Sequence, residues 1–163
     1  MGVRNCRDIG ENLQKIVSRL MANDALVKLL YYTDKDPYSK EALTAEQKKE
    51  FIFEKLIKVV PRVGPKETAQ SVIVVQVVSG STNLENSEFK NVRIRVEVFV
   101  PLTQWFIKDT NLRPFSILGE IQESLNNKSI NGIGKMYGGD FDLNFLSEEI
   151  SCYTQDFILT SYE

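Results

Sequence analysis

The stretch Val92-Arg93-Ile94-Arg95-Val96-Glu97-Val98-Phe99-Val100 alternates with a period of two. Successive side chains of an extended chain point to opposite faces, so Val92, Ile94, Val96, Val98 and Val100 line a face that belongs on a core. Arg93, Arg95, Glu97 and Phe99 line the other face, toward solvent or a partner. Upstream, residues 71–79 (Ser-Val-Ile-Val-Val-Gln-Val-Val-Ser) are rich in β-branched side chains and predict a buried strand. The two strands suggest an antiparallel hairpin with a long polar connection over 80–90. Downstream, residues 140–146 and 150–161 are aromatic and β-prone, and predict a last pair of strands.

Helical spacing occupies the rest. Ile9, Leu13, Ile16, Val17 and Leu20 form one apolar stripe, and Asn23 and Asp24 offer a new N-cap before a short helix over 25–31. Residues 32–39 carry turn chemistry and two tyrosines, and predict an exposed excursion. Thr44 and Gln47 have capping-box spacing, with Phe53, Leu56, Ile57 and Val60 behind them, which predicts a helix over about 45–59 ended by Pro61. Pro61, Gly64 and Pro65 then read as a linker. Pro114 suits a first helical turn, with Ile117, Leu118, Ile121 and Leu125 as the apolar stripe and Asn126-Asn127 as the stop. The order is helices, strand, strand, helix, strand, strand. It predicts a single α+β domain over 1–163, with an antiparallel sheet of about four strands packed with helices. The N-terminal helices fall at about 9–59, and the sheet with its helix at about 70–163.

Composition removes whole classes of function. The 163 residues are 42% hydrophobic and 26% charged, within the globular range, and the net charge is −2. That balance lacks the basic excess of a dedicated nucleic-acid binder. There is no histidine, so Ser-His-Asp and Cys-His catalysis and every His-ligated metal site are excluded. Cys6 and Cys152 lie too far apart in sequence for a C-x-x-C pair and read as reduced thiols. The start of the chain lacks the apolar run of a signal peptide, and nothing in the sequence targets a membrane.

The remaining motifs are weak. Gly132-Ile133-Gly134-Lys135-Met136 fails as a phosphate loop, because Ser129 stands where a Walker glycine belongs and Met136 where a Ser or Thr belongs. Tyr137 occupies the third glycine position of a dinucleotide fingerprint, so a flexible turn between helix and strand is the better reading. Asp140, Asp142, Glu148 and Glu149 could ligate a divalent metal in a small carboxylate enzyme, but solvated loop charges explain them more simply. No cofactor is indicated. The face with Arg93, Arg95 and Phe99 suits a solvated surface, a protein interface or, against the net charge, single-stranded nucleic acid. Trp105 and Phe106 follow the strand end, and Tyr32 and Tyr38 sit in the excursion. With no catalytic outfit, rings of this kind gain weight as interface anchors.

The layout of an N-terminal helix continued by Asn23-Asp24-Ala25-Leu26-Val27-Lys28-Leu29-Leu30-Tyr31, a hairpin with a long polar loop, a helix and a final strand pair resembles a known family. It is similar to the neck and tail-completion proteins of tailed bacteriophages, especially tail terminators. The similarity is closest over Arg113-Pro114-Phe115-Ser116-Ile117-Leu118-Gly119-Glu120-Ile121, Asn131-Gly132-Ile133-Gly134 and the strand through Phe157-Ile158-Leu159. The resemblance implies a structural virion protein, made in the host cytoplasm, that forms a ring, commonly hexameric. Such a ring caps the tail tube protein, meets the head-side connector, and lets DNA pass without specific binding. It implies no enzyme activity and no membrane partner. The loop with Glu85, Glu88 and Phe89 would contact tube or connector, and Tyr32, Tyr38, Arg93, Arg95, Phe99, Trp105 and Phe106 complete the candidate interface. The competing expectations are the metal-dependent carboxylate enzyme and a monomeric protein-binding module.

Overall fold

A computed structural model describes residues 6–60, 70–82, 85, 89–130 and 134–160. Its first layer is helical. Helix α1 (Cys6–Met21) buries Ile16, Val17 and Leu20, as the stripe predicts. A break follows, and α2 (Asp24–Tyr31) starts at Asn23, whose side chain accepts a hydrogen bond from the Leu26 amide. Helix α3 (Ala45–Phe51) opens with the predicted capping box between Thr44 and Gln47. Helix α4 (Arg113–Leu125) buries Ile117, Leu118, Ile121 and Leu125. Asn23 ties the layer together, its amide donating to Ser124 Oγ at 2.9 Å and to a Glu120 carboxylate oxygen at 3.0 Å.

The second layer is a six-stranded sheet formed by β1 (Ile57–Lys58), β2 (Val72–Thr82), β3 (Phe89–Pro101), β4 (Lys128–Ile130), β5 (Gly134–Leu146) and β6 (Ile150–Thr160). Their spatial order is β1-β2-β3-β6-β5-β4. The hairpin β2–β3 and the pair β5–β6 are antiparallel, as predicted, and β3 joins them by pairing with β6. The expected all-antiparallel sheet of about four strands is corrected in two respects. There are six strands, and β1 runs parallel to β2.

Local misreadings explain the difference. The helix expected to reach residue 59 stops at Phe51, because Glu54 takes a left-handed backbone conformation (φ 56°) and Ile57 pairs with Ile73 in the sheet. Leu56 and Ile57 are buried as expected, but Phe53 and Val60 of the supposed stripe are exposed. The long connection expected over 80–90 is shorter, since Ser81 pairs with Lys90 and Thr82 with Phe89. In the glycine-rich stretch expected to be a turn, Gly134, Gly138 and Gly139 belong to β5. The linker at Pro61, Gly64 and Pro65 lies outside the described residues.

The helices cover one face of the sheet. Val92, Ile94, Val96, Val98 and Val100 are all buried there. Tyr153 and Gln155, in register with Val98 and Val96, meet α4 through Phe115 and Gln122. Between helix layer and loops lies Arg113, fully buried. Its guanidinium donates to four main-chain carbonyls: Leu29 at 2.6 Å, Tyr32 at 2.9 Å, Asp34 at 2.6 Å and Gln104 at 2.9 Å. The first two belong to the end of α2, where unpaired carbonyls carry the negative pole of the helix. Burial lowers the guanidinium's pKa, and the Asp34 charge opposes that shift. Among the described residues no helix is long and apolar enough to cross a membrane.

Candidate assembly interface

The least protected element is β5. It begins at Gly134 between two neighbours, with β4 pairing it through Ile130, Ser129 and Lys128 opposite Gly134, Lys135 and Met136. There β4 ends. The Asn126 side chain then accepts from the Gly138 amide at 2.8 Å, and the Gln155 side chain donates to the Gly139 carbonyl at 3.1 Å. From Asp140 to Leu146, β6 flanks one side and, among the described residues, no strand flanks the other.

This open edge has only part of the usual protection. Natural edges are blunted by charges, lysine above all, by prolines, bulges or short length. Here residues 137–146 are exposed throughout and include Phe141, Leu143, Phe145 and Leu146, of which Leu146 is 60% exposed. From Met136 to Thr160 the chain has Asp140, Asp142, Glu148, Glu149 and Asp156 but no Lys or Arg. Two register shifts bend the strand, between Gly138 and Phe141 and between Leu143 and Phe145. At the first, a Cβ on Gly139 would lie 3.3 Å from the Asp156 carbonyl oxygen, so glycine lets the backbones approach.

The apolar surface continues onto the helix side. Leu143 is in register with Tyr153, whose ring lies 5.1 Å from Phe115 and 6.3 Å from Trp105. Phe115 is itself 43% exposed. On the other face Tyr137 pairs with Ile158, and both are exposed. That face also carries a polar ladder. Arg95 forms a forked salt bridge to Asp156 with contacts of 2.8 and 3.2 Å, which raises the arginine's pKa. Gln76 donates to Glu97. Burial raises the Glu97 pKa, and the nearby Arg95 charge opposes it. Burial, followed by the Glu97 charge, pushes the Cys152 thiol up to about 12.

The residues expected at an interface fall in three places. Tyr32, Tyr38, Trp105 and Phe106 lie on two loops that Arg113 joins, reinforced by the Lys108 amide donating to the Lys35 carbonyl at 2.6 Å. Of these, Phe106 is 65% exposed and Tyr38 exposed. Tyr32 is half-buried against Tyr31, its hydroxyl donating to the Glu41 carbonyl. Arg93, Arg95 and Phe99 share the outer face of β3, where Arg93 is exposed, Arg95 is held by Asp156, and Phe99 is buried. Phe99 is therefore core material, an outcome of the sheet's packing that alternation does not reveal. Glu85 is exposed, Phe89 starts β3, and Glu88 lies outside the described residues.

Sequence reading missed Phe141, Leu143, Phe145 and Leu146. Alternating aromatic and leucine residues normally signal a buried strand, and the acidic, lysine-free composition was the available clue. Asp140 and Asp142 lie on β5, whereas Glu148 and Glu149 sit in the hairpin turn that Ser147 caps. Among the described residues no three acidic or thiol side chains gather as metal ligands would.

No curated protein matches the chain. A sequence model of the YomW family matches residues 23–155, from the cap of α2 into β6. The match takes in β1 to β5, the first half of β6 and the whole of the open β5 edge. With most of its length matched, the chain belongs to the YomW family, a phage-associated (Bacillus SPbeta-like) group.

Proposed function

We propose that this protein is a structural component of a tailed-phage virion, a tail terminator that assembles as a ring, six-membered as such rings commonly are. In this reading it caps the tail tube and joins it to the head connector. The observation that carries the reading is β5: a strand exposed on both faces, studded with large apolar side chains, with an open edge from Asp140 to Leu146. A monomer would keep such an edge at the risk of aggregation, while an assembled copy covers it. The phage association of the family supports the setting. The net charge of −2 suits a channel through which DNA slides without being held. No turnover of a small molecule belongs to this role.

The test has two parts. Light scattering after size exclusion, with electron microscopy, is expected to give closed rings from the purified chain or from the chain mixed with tail tubes. Antibody against the chain is expected to label the head–tail junction of virions. Label confined to another part of the particle, or absent from it, overturns the assignment. The open edge also fits capture of an extended peptide by a monomer. That second reading predicts a stable monomer that binds one strand and stays monomeric beside tail tubes.

A further inference from the structure

Exposed apolar side chains gather at both ends of the sheet. Phe141, Leu143, Phe145 and Leu146 mark the β5 end, and Phe53 and Val60 mark the β1 end. The charges at these ends are opposite in sign. Residues 137–146 of β5 carry Asp140 and Asp142 and no cation, whereas residues 51–60 at the β1 end carry Lys55 and Lys58 against Glu54, whose side chain already accepts from the Val59 amide. The hydrogen-bonded rows align them. One row runs Ile57–Ile73–Val98–Tyr153–Leu143, and the next runs Lys58–Val74–Glu97–Thr154–Asp142. Lys58 and Asp142 thus occupy one row and one face, four strand spacings or about 19 Å apart. Strand directions alternate from β2 to β5, and β1 is parallel to β2, so β1 and β5 run antiparallel.

We infer that the β5 end of one copy docks on the β1 end of a second copy, head to tail, with Asp140 and Asp142 facing the neighbour's lysines and the two apolar patches meeting. This rests on the reading of the chain as a self-assembling component. The occupant follows from charge. Pairing two β5 edges about a two-fold axis brings together two strands that each carry Asp140 and Asp142 and no cation over residues 137–146, so like charges gather with nothing to offset them. Joining unlike ends is heterologous and uses different patches on each copy, so it propagates to a third copy and closes only if the rotation closes. In β1, Phe53 already bridges Ile57, and the Glu54 amide donates to the Ile57 carbonyl. Contact is therefore made by side chains of the 51–60 segment rather than by extending the ladder at Ile57.

Two experiments on the full chain test this. In a Cys6→Ser background, which leaves Cys152 buried, Lys58→Cys and Asp142→Cys are made singly and together and treated with a short bis-maleimide. The double variant is expected to give a ladder beyond dimer, and each single variant monomer alone. Dimers from Asp142→Cys alone, or no ladder from the double variant at high protein concentration, overturn the inference. Charge reversal is independent of cross-linking. Asp140→Lys with Asp142→Lys makes both ends basic, and Lys55→Glu with Lys58→Glu makes both acidic. Each variant alone is expected to lose cross-linked or light-scattering oligomers, and an equimolar mixture to recover them. Full association of the all-acidic variant alone overturns the inference, because two-fold β5 pairing leaves its β5 end untouched. Failure here is separable from failure of the ring reading. Closed rings without the ladder discard this contact and keep the ring; a ladder that extends into open filaments keeps the contact and discards the terminator.

Discussion

At the scale of single residues, Arg113 does more for the fold than its place in the sequence announces. An arginine at the start of a helix reads as a surface cation, yet this one is buried and donates to carbonyls at 29, 32, 34 and 104. Replacing it with Met fills the volume but leaves those carbonyls without a donor, and a buried carbonyl left unpaired costs about 1–3 kcal/mol. Arg113→Met is therefore expected to lower the urea midpoint by that equivalent, with Arg113→Lys falling between it and the parent. Glu97 gives a pH signature. Its raised pKa means that the native state keeps a proton the unfolded chain has released, so stability falls as pH rises from the ordinary carboxyl value of 4.5 through the native value. Glu97→Gln is expected to flatten this fall, measured as urea midpoints across that range; an identical slope in both proteins would assign the dependence elsewhere. Neither role is legible in sequence. The partners of Arg113 lie 79 to 84 residues away along the chain in three of its four bonds, and local pattern carries no trace of such a meeting.

At the scale of elements, periodicity served well wherever one face is buried. The alternation of β3, the stripes of α1 and α4, and the Thr44–Gln47 box all have their expected places. Because α3 is only seven residues long, its cap carries much of its local stability. Thr44→Ala is expected to cost about 1 kcal/mol, read from the chemical denaturation midpoint. Residues 52–60 show where pattern fails. Leu56, Ile57 and Val60 match a helical stripe equally well, but Ile57 finds a strand partner in Ile73, and tertiary pairing overrides spacing. The glycines of β5 misled for a related reason, since a strand with a close backbone neighbour admits glycine where a lone strand would not.

At the scale of the whole molecule, and among the described residues, helices cover one face of the sheet while apolar side chains stay exposed at its ends. Because Phe141 and Leu143 are each about half exposed, Phe141→Lys with Leu143→Lys should leave the thermal midpoint almost unchanged while removing self-association. Loss of folding in that variant, seen by circular dichroism, would instead make β5 part of the core. Of the residues expected at an interface, Tyr38 lies exposed in the excursion that turn chemistry predicts and Phe106 is exposed too, whereas the most exposed apolar strand has a sequence that looks like an interior one.

The carbonyl of Leu29 also sets a schedule for biosynthesis. Its partner on Arg113 is 84 residues further along the chain. At a ribosome adding about 5–20 residues per second, that interval is about 4–17 s, during which the end of the second helix stays hydrated and undocked. The amino-terminal helices therefore wait for the middle of the polypeptide to emerge, and a nascent chain stalled before that point should be digested by protease at residues that resist it in the finished protein.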